Sequence, residues 1–278
     1  VSALQHRGDM LVHQIHIYCQ GSTVELTGAA ANLGPAVGLS LTLGNLPLTS
    51  GVVPVGNLSP SRDHNSEFVY DNSGSPILLR SHFIFRPRYP IFVPAGMTLT
   101  PTFHNLGVFT TPIDLRIGYA AWALPRGYRR PKKVQLPWIA AWHTPAIAMA
   151  GADVTVESSE KDLANPHKVP VHVDQIIGRL YSTGLFSRSF FSEISYSDQS
   201  RDWTMARVRL RDSLGNQVVR ADTGFWRVFD WGSCALPLRH DLAPKAYYLV
   251  RMTAGSKTLQ DAQLFANFSI NGWREGSL

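Results

Sequence analysis

Ten histidines are the side chains of this chain best suited to hold a metal or move a proton, and their spacing argues against both roles. His13 and His16 lie three apart in an alternating apolar segment. On a regular strand such residues point to opposite faces, so the two are not expected to chelate together. There is no H-E-x-x-H, no cysteine pair at zinc spacing and no acidic loop of the calcium-binding kind. Nucleophile elbows, phosphate-binding loops and dinucleotide fingerprints are missing as well. The glutamates Glu25, Glu67, Glu157, Glu160, Glu193 and Glu275 leave one enzymatic alternative open, because a glycan hydrolase needs only two facing carboxylates. The expectation is a protein without catalytic residues, metal or cofactor, and without a small-molecule substrate.

Charge offers a clearer feature. Arg126, Arg129, Arg130, Lys132 and Lys133 crowd around Tyr128 between Pro125 and Pro131, within a chain of formal net charge +6. Such a segment can pair with phosphates of lipid or nucleic acid, or serve as a solvated linker. Arg207, Arg209 and Arg211 form a second basic stripe, read as either a wet face or a partner for acids on a neighbouring subunit. Aromatics gather at Phe186, Phe190, Phe191, Tyr196 and Trp203, and again at Phe225, Trp226, Phe229 and Trp231. Core packing or subunit anchoring accounts for them. Arg7-Gly8-Asp9 matches a short attachment tripeptide, a match expected by chance. With only Cys19 and Cys234, a disulfide framework is not expected, which suits folding in a reducing compartment.

The elements that would position these residues are strands. Leu39, Leu41 and Leu43 alternate with Ser40 and Thr42, as do Met97 and Leu99 with threonines, and Ala266, Phe268 and Ile270 with polar residues. A period of two marks a strand with one buried face. Val208 and Leu210 oppose the arginine stripe, and 212–216 reads as a hairpin turn into 217–221. The 18 prolines and 22 glycines punctuate short apolar runs, and helical spacing is nearly absent. Residues 153–157 read as a strand, 158–166 as a helical turn or loop, and 134–151 as too interrupted by Pro137, His143 and Pro145 to span a bilayer.

The halves repeat. Val12-His13-Gln14-Ile15 matches Val173-Asp174-Gln175-Ile176 at an offset of 161; Val93-Pro94-Ala95-Gly96 matches Ala243-Pro244-Lys245-Ala246 at 150; Trp122 matches Trp273 at 151. A chain of 278 residues accommodates two domains of ordinary size. The expected fold is all-β, two tandem jelly-roll β-sandwich domains of about eight strands each. The first spans residues 1–125, a basic linker 126–135, and the second domain 136–278.

Through Val93–Thr100, Leu115–Trp122, Asn165–Ile177, Ala243–Val250 and Ala266–Trp273 the chain resembles the double jelly-roll major capsid proteins of the adenovirus and membrane-containing tailless bacteriophage lineage. The resemblance is architectural, spans nearly the whole chain and rests on no diagnostic motif. It implies a structural capsid protein that forms homotrimers, pseudo-hexameric capsomers and an icosahedral shell, with other capsid proteins, an internal viral membrane or the genome as further partners. It also implies a place in the virion after folding in the host cytoplasm, and outer-surface loops at Gly44–Ile77 and Ser182–Asp202. The alternatives in the residues themselves are a carbohydrate-binding attachment protein of a vertex or spike, and a two-domain glycan hydrolase.

Overall fold

The computed structural model describes residues 3–5, 7–22, 37–58, 64–70, 72–73, 76–106, 113–145, 147–148, 153–183, 192–193, 206–229, 234–254 and 263–278. In the first half the strands are β1 (Leu4–Gln5), β2 (Met10–Ser22), β3 (Val37–Leu43), β4 (Leu46–Pro47), β5 (Thr49–Ser50), β6 (Val53–Pro54), β7 (His64–Tyr70), β8 (Pro76–Phe85), β9 (Ile91–Val93), β10 (Thr98–Asn105) and β11 (Asp114–Ala123). The second half holds β12 (Val134–His143), β13 (Ile147–Ala148), β14 (Val154–Glu157), β15 (Val171–Thr183), β16 (Ser192–Glu193), β17 (Arg207–Asp212), β18 (Gln217–Gly224), β19 (Ala235–Leu242), β20 (Tyr248–Ala254) and β21 (Gln263–Gly276). Helix among the described residues amounts to a 3-10 turn at Val55–Asn57 and a single α-helical turn, α1, at Phe225–Val228.

Strand order defines the class. In the second half, β12, β21, β15 and β19 lie side by side in one sheet, and β14, β20, β17 and β18 in the other. This is the interleaved order of a jelly roll, in which the chain crosses repeatedly between the two sheets and only β17 and β18 of these strands follow one another in the same sheet. The first half repeats it: β11, β2 and then β8 with β9 form one sheet, and β1, β10, β3 and β4 the other. The chain is a double jelly roll, all-β throughout.

Each sandwich has its own core. Val12, Ile15, Ile17, Leu39, Leu41, Leu43, Ile91 and Leu99 are buried together in the first; Val173, Ile176, Leu180, Val208, Leu210, Val250, Met252, Phe268 and Ile270 in the second. The alternating residues read from sequence therefore do point inward, and 217–224 follows 207–212 through a turn with Gly215 at φ +85°. Strand β12 serves both cores: Val134, Leu136 and Ile139 join the first, Trp138, Ala140 and Trp142 the second.

The registers locate the repeat. Strand β2 pairs with β11 through Leu11↔Trp122 and Cys19↔Leu115; β15 pairs with β21 through His172↔Trp273 and Leu180↔Ala266. Offsets of 161 and 151 hold at both ends of the pairing. The offset of 150 does not survive. The turns that match are Pro94-Ala95-Gly96-Met97 and Ala243-Pro244-Lys245-Ala246, each closed by a 3.0 Å hydrogen bond from the fourth N–H to the first carbonyl. Their third residues take left-handed φ values, +80° for Gly96 and +64° for Lys245. The offset is thus 149, which aligns buried Leu99 with buried Tyr248. A slip of one residue would turn the strand inside out.

The histidine expectation fails for a related reason. At Val12-His13-Gln14-Ile15 the pairing of β2 with β11 skips a residue, from Val12↔Ala121 to Gln14↔Ala120, leaving His13 as an extra residue. A β-bulge of this kind resets the alternation. Val12 and Ile15 are both buried although three apart, and His13 and His16 both lie on the outer face. His13 stacks on Trp122 at 4.3 Å between ring centroids. Asp174 is the corresponding extra residue of β15.

The supposed outer loop at 44–77 is another departure. Residues 46–58 form three two-residue strands and the 3-10 turn, with Leu48, Val53, Val55 and Leu58 in the first core, and β7 forms a hairpin with β8. Of 182–202, only 182–183 and 192–193 are described, as the ends of a strand pair.

Candidate functional site

The five basic residues of 126–133 are all exposed, but they are not alike. Arg130 grips Asp9 with two hydrogen bonds, Nε to Oδ2 at 3.0 Å and Nη2 to Oδ1 at 2.9 Å, while the Ala95 N–H donates to the same carboxylate at 2.7 Å. The Arg130 guanidinium, aided by that N–H, holds the Asp9 carboxyl below its ordinary range. Lys133 pairs with Glu275 at 2.8 Å, fastening the segment to β21. Arg126, Arg129 and Lys132 have no ion-pair partner among the described residues. Asp9 of the attachment tripeptide is spent on this clamp.

Two arginines of the stripe, Arg207 and Arg211, pair with carboxylates beside their own sheet, while the Arg209 Nε is buried without a hydrogen-bond partner. Arg207 pairs with Asp153 at 2.8 Å, and Glu157 accepts from Arg211 at 3.4 Å and Arg251 at 3.0 Å. Of the second aromatic cluster, Phe225 and Phe229 are core residues packed on Phe268. Trp231 and Phe186, Phe190, Phe191, Tyr196 and Trp203 lie outside the described residues.

No group of three or more His, Cys, Asp or Glu side chains converges among the described residues. Glu160 accepts from the Tyr247 hydroxyl at 2.9 Å, and Glu157 and Glu275 are taken by cations. Among the described residues the carboxyls whose titration moves, Asp9, Asp212 and Glu275, all move down, opposite to what a general acid requires. Both cysteines are buried and neither is in a disulfide, and burial pushes Cys19 up to about 12. No helix among the described residues is long and apolar enough to cross a membrane.

What the fold does build is a seam between the sandwiches that sequence reading missed. The 3-10 turn of the first sandwich presses onto the outer face of β21. Asn57, fully buried, donates from Nδ2 to the Asn267 carbonyl at 3.1 Å, and Ser269 Oγ donates to the Asn57 carbonyl at 3.0 Å. Asn271 Nδ2 donates to Leu58 O and Arg274 Nη2 to Pro47 O, both at 3.4 Å. Beside it β5 pairs in parallel with β12, and the Ile139 N–H donates to Leu48 O at 3.2 Å. Arg88, between β8 and β9, forms an ion pair with the bulged Asp174. Asn267, Ser269 and Asn271 stand at alternating outward positions, the pattern of a wet face, yet all three are buried by the neighbour.

Offset by 151, the same outward positions of the first sandwich are Arg116, Gly118 and Ala120. Here no covering turn lies among the described residues. A cavity of about 840 Å³ lies instead over this face, bounded by Tyr18, Gln20, Arg80, His82, Asp114, Arg116 and Gly118. His82 stacks on Tyr18 at 4.2 Å and shares a 3.0 Å hydrogen bond with His16, from ring nitrogen to ring nitrogen. Burial first, and the neighbouring His16 second, lower the His82 pKa.

The strand order defines the class, a double jelly roll. No family model and no curated protein sequence matches the chain. Among solved structures, the mavirus major capsid protein aligns over 98% of this chain and 82% of its own, with 6% identity and a TM-score of 0.37. The structure of the Sputnik virophage aligns over 99% and 81%, with 9% identity and a TM-score of 0.29. At such scores the likeness is loose, and the jelly-roll assignment stands on the strand order.

Proposed function

We propose that this chain is a structural viral major capsid protein that trimerises into pseudo-hexameric capsomers and tiles an icosahedral shell. One observation carries the reading. The seam between the sandwiches is heterologous, joining the turn side of one repeat to the β21 face of the next, and the equivalent face on the first sandwich has no such cover among the described residues. A head-to-tail contact between duplicated units repeats until a ring closes. If the turn side of a second sandwich takes the open face of the next chain, three chains of two sandwiches close a six-unit ring.

In this reading 1–125 and 136–278 are the two units, and 126–135 joins them. Arg126, Arg129 and Lys132, which have no ion-pair partner among the described residues, are the residues offered to an internal membrane or the genome. The virion is the working location, reached after folding in the host cytoplasm. Function is then burial of complementary surface, with obligate interfaces of upwards of roughly 2,000 Å². Native mass spectrometry of the purified chain is expected to give trimers. A monodisperse monomer at micromolar concentration overturns the proposal.

A further inference from the structure

In the second sandwich the outer edge of β21 is taken by β12, antiparallel over ten residues from Val134↔Gly276 to His143↔Asn267. In the first, the equivalent edge of β11 has no strand beside it among the described residues. The inner faces record the difference. Ala266, Phe268 and Ile270 of β21 are completely buried, whereas Leu115, Ile117 and Tyr119, their counterparts by the offset of 151, are only partly covered although they pack on the first core. The Tyr119 hydroxyl is cut off from solvent without a hydrogen-bond partner, and burial pushes it up to about 12. An open edge with a partly bare apolar face is a place where another strand adds.

The repeat also says where such a strand comes from. Strand β12 precedes β14, the counterpart of β1, with only the two-residue β13 in the ten residues between His143 and Val154. A strand in the equivalent place would run just ahead of Leu4. We propose that the first sandwich is completed by an extended segment of the natural polypeptide upstream of Val1. It runs antiparallel to β11, with apolar residues at alternate positions turned toward Leu115, Ile117 and Tyr119. This assignment does not depend on the capsid reading, since it concerns how the unit closes and not what it assembles into.

The probe is the protein's own strand. The sequence of Val134–His143 is grafted ahead of Val1, through a Gly/Ser tether that with residues 1–3 matches the ten residues between β12 and β14. Amide hydrogen exchange is then read along 116–123 in the 278-residue chain, in the grafted chain, and in a graft whose added copy carries Trp138→Asp and Trp142→Asp. The expected result is fast exchange at the open edge of the 278-residue chain, slowed at least about tenfold by the first graft and unchanged by the second. Equal protection in all three chains, or no slowing by the first graft, overturns the vacancy. Protection of the ungrafted chain that grows with protein concentration overturns the upstream origin and assigns the strand to a second copy.

Discussion

The bulges at His13 and Asp174 are one backbone feature put to two uses. Both interrupt the same long strand at the same register, Val12 to Gln14 against Ala121 and Ala120 in one sandwich, Val173 to Gln175 against Gly272 and Asn271 in the other. In the first the extra side chain folds back onto its own sheet, where His13 covers part of Trp122, a residue still 56% exposed. In the second, Asp174 reaches away to Arg88 of the other sandwich. Duplication preserved the backbone, and what lies beside each copy decided the side chain. The same holds for the faces flanking the bulges, one sealed by Asn57 and the other, around Gly118, without such a cover among the described residues.

Comparable substitutions in the two copies should therefore have unequal effects, and four measurements can break that statement. The largest is in the cores. Ile270→Ala, at a fully buried site with β12 alongside, is expected to cost about 2–5 kcal/mol in chemical denaturation. Ile117→Ala, on the partly covered strand, should cost about 1 kcal/mol; equal losses would mean β11 is as well covered as β21. Next comes Asn57→Ala, which strips the Asn267 carbonyl of its partner inside the seam and should cost about 1–3 kcal/mol. Replacing His82 by alanine at the open counterpart should move the denaturation midpoint far less.

The third effect is smaller. Asp174→Ala removes an ion pair whose arginine side chain is 56% exposed, so the loss should be below about 1 kcal/mol and should fade in molar salt. The bulge itself should persist, with no change in exchange along β15. The last effect belongs to the second sandwich and vanishes at neutral pH. Burial, with Arg274 nearby, lowers the His167 pKa to about 4 from an ordinary 6.5. Between those values the unfolded chain binds more protons than the folded one, so stability rises with pH across the window and is lost as pH falls from 6.5 toward 4. Thermal melts of His167→Gln should show a flatter acid limb than those of the parent chain.

Much of the fold was legible because alternation survives wherever strands are long. Leu39 to Leu43 and Ala266 to Ile270 declare their buried faces without help from the rest of the chain. The bulge was legible only as a repeated tetrapeptide, since a strict count of two cannot register an inserted residue, and His13 and His16 were assigned opposite faces for that reason. Strands β4, β5 and β6 have two residues each, too few to show any period, so 46–58 read as loop. The seam was hidden more deeply. Asn267, Ser269 and Asn271 announce an outward face correctly, but nothing in a local pattern says that another part of the chain will come to lie on it.

Strand β12 gives the molecule a property neither sandwich would have alone. It is hydrogen-bonded to β21 on one edge and to β5 on the other, and its side chains alternate between the two cores. Withdrawing it to unfold one half opens a hole in the other. The halves should consequently melt as a single calorimetric unit, with van't Hoff and calorimetric enthalpies in agreement. A cut just after Lys133 would leave a first half whose core has lost Val134, Leu136 and Ile139.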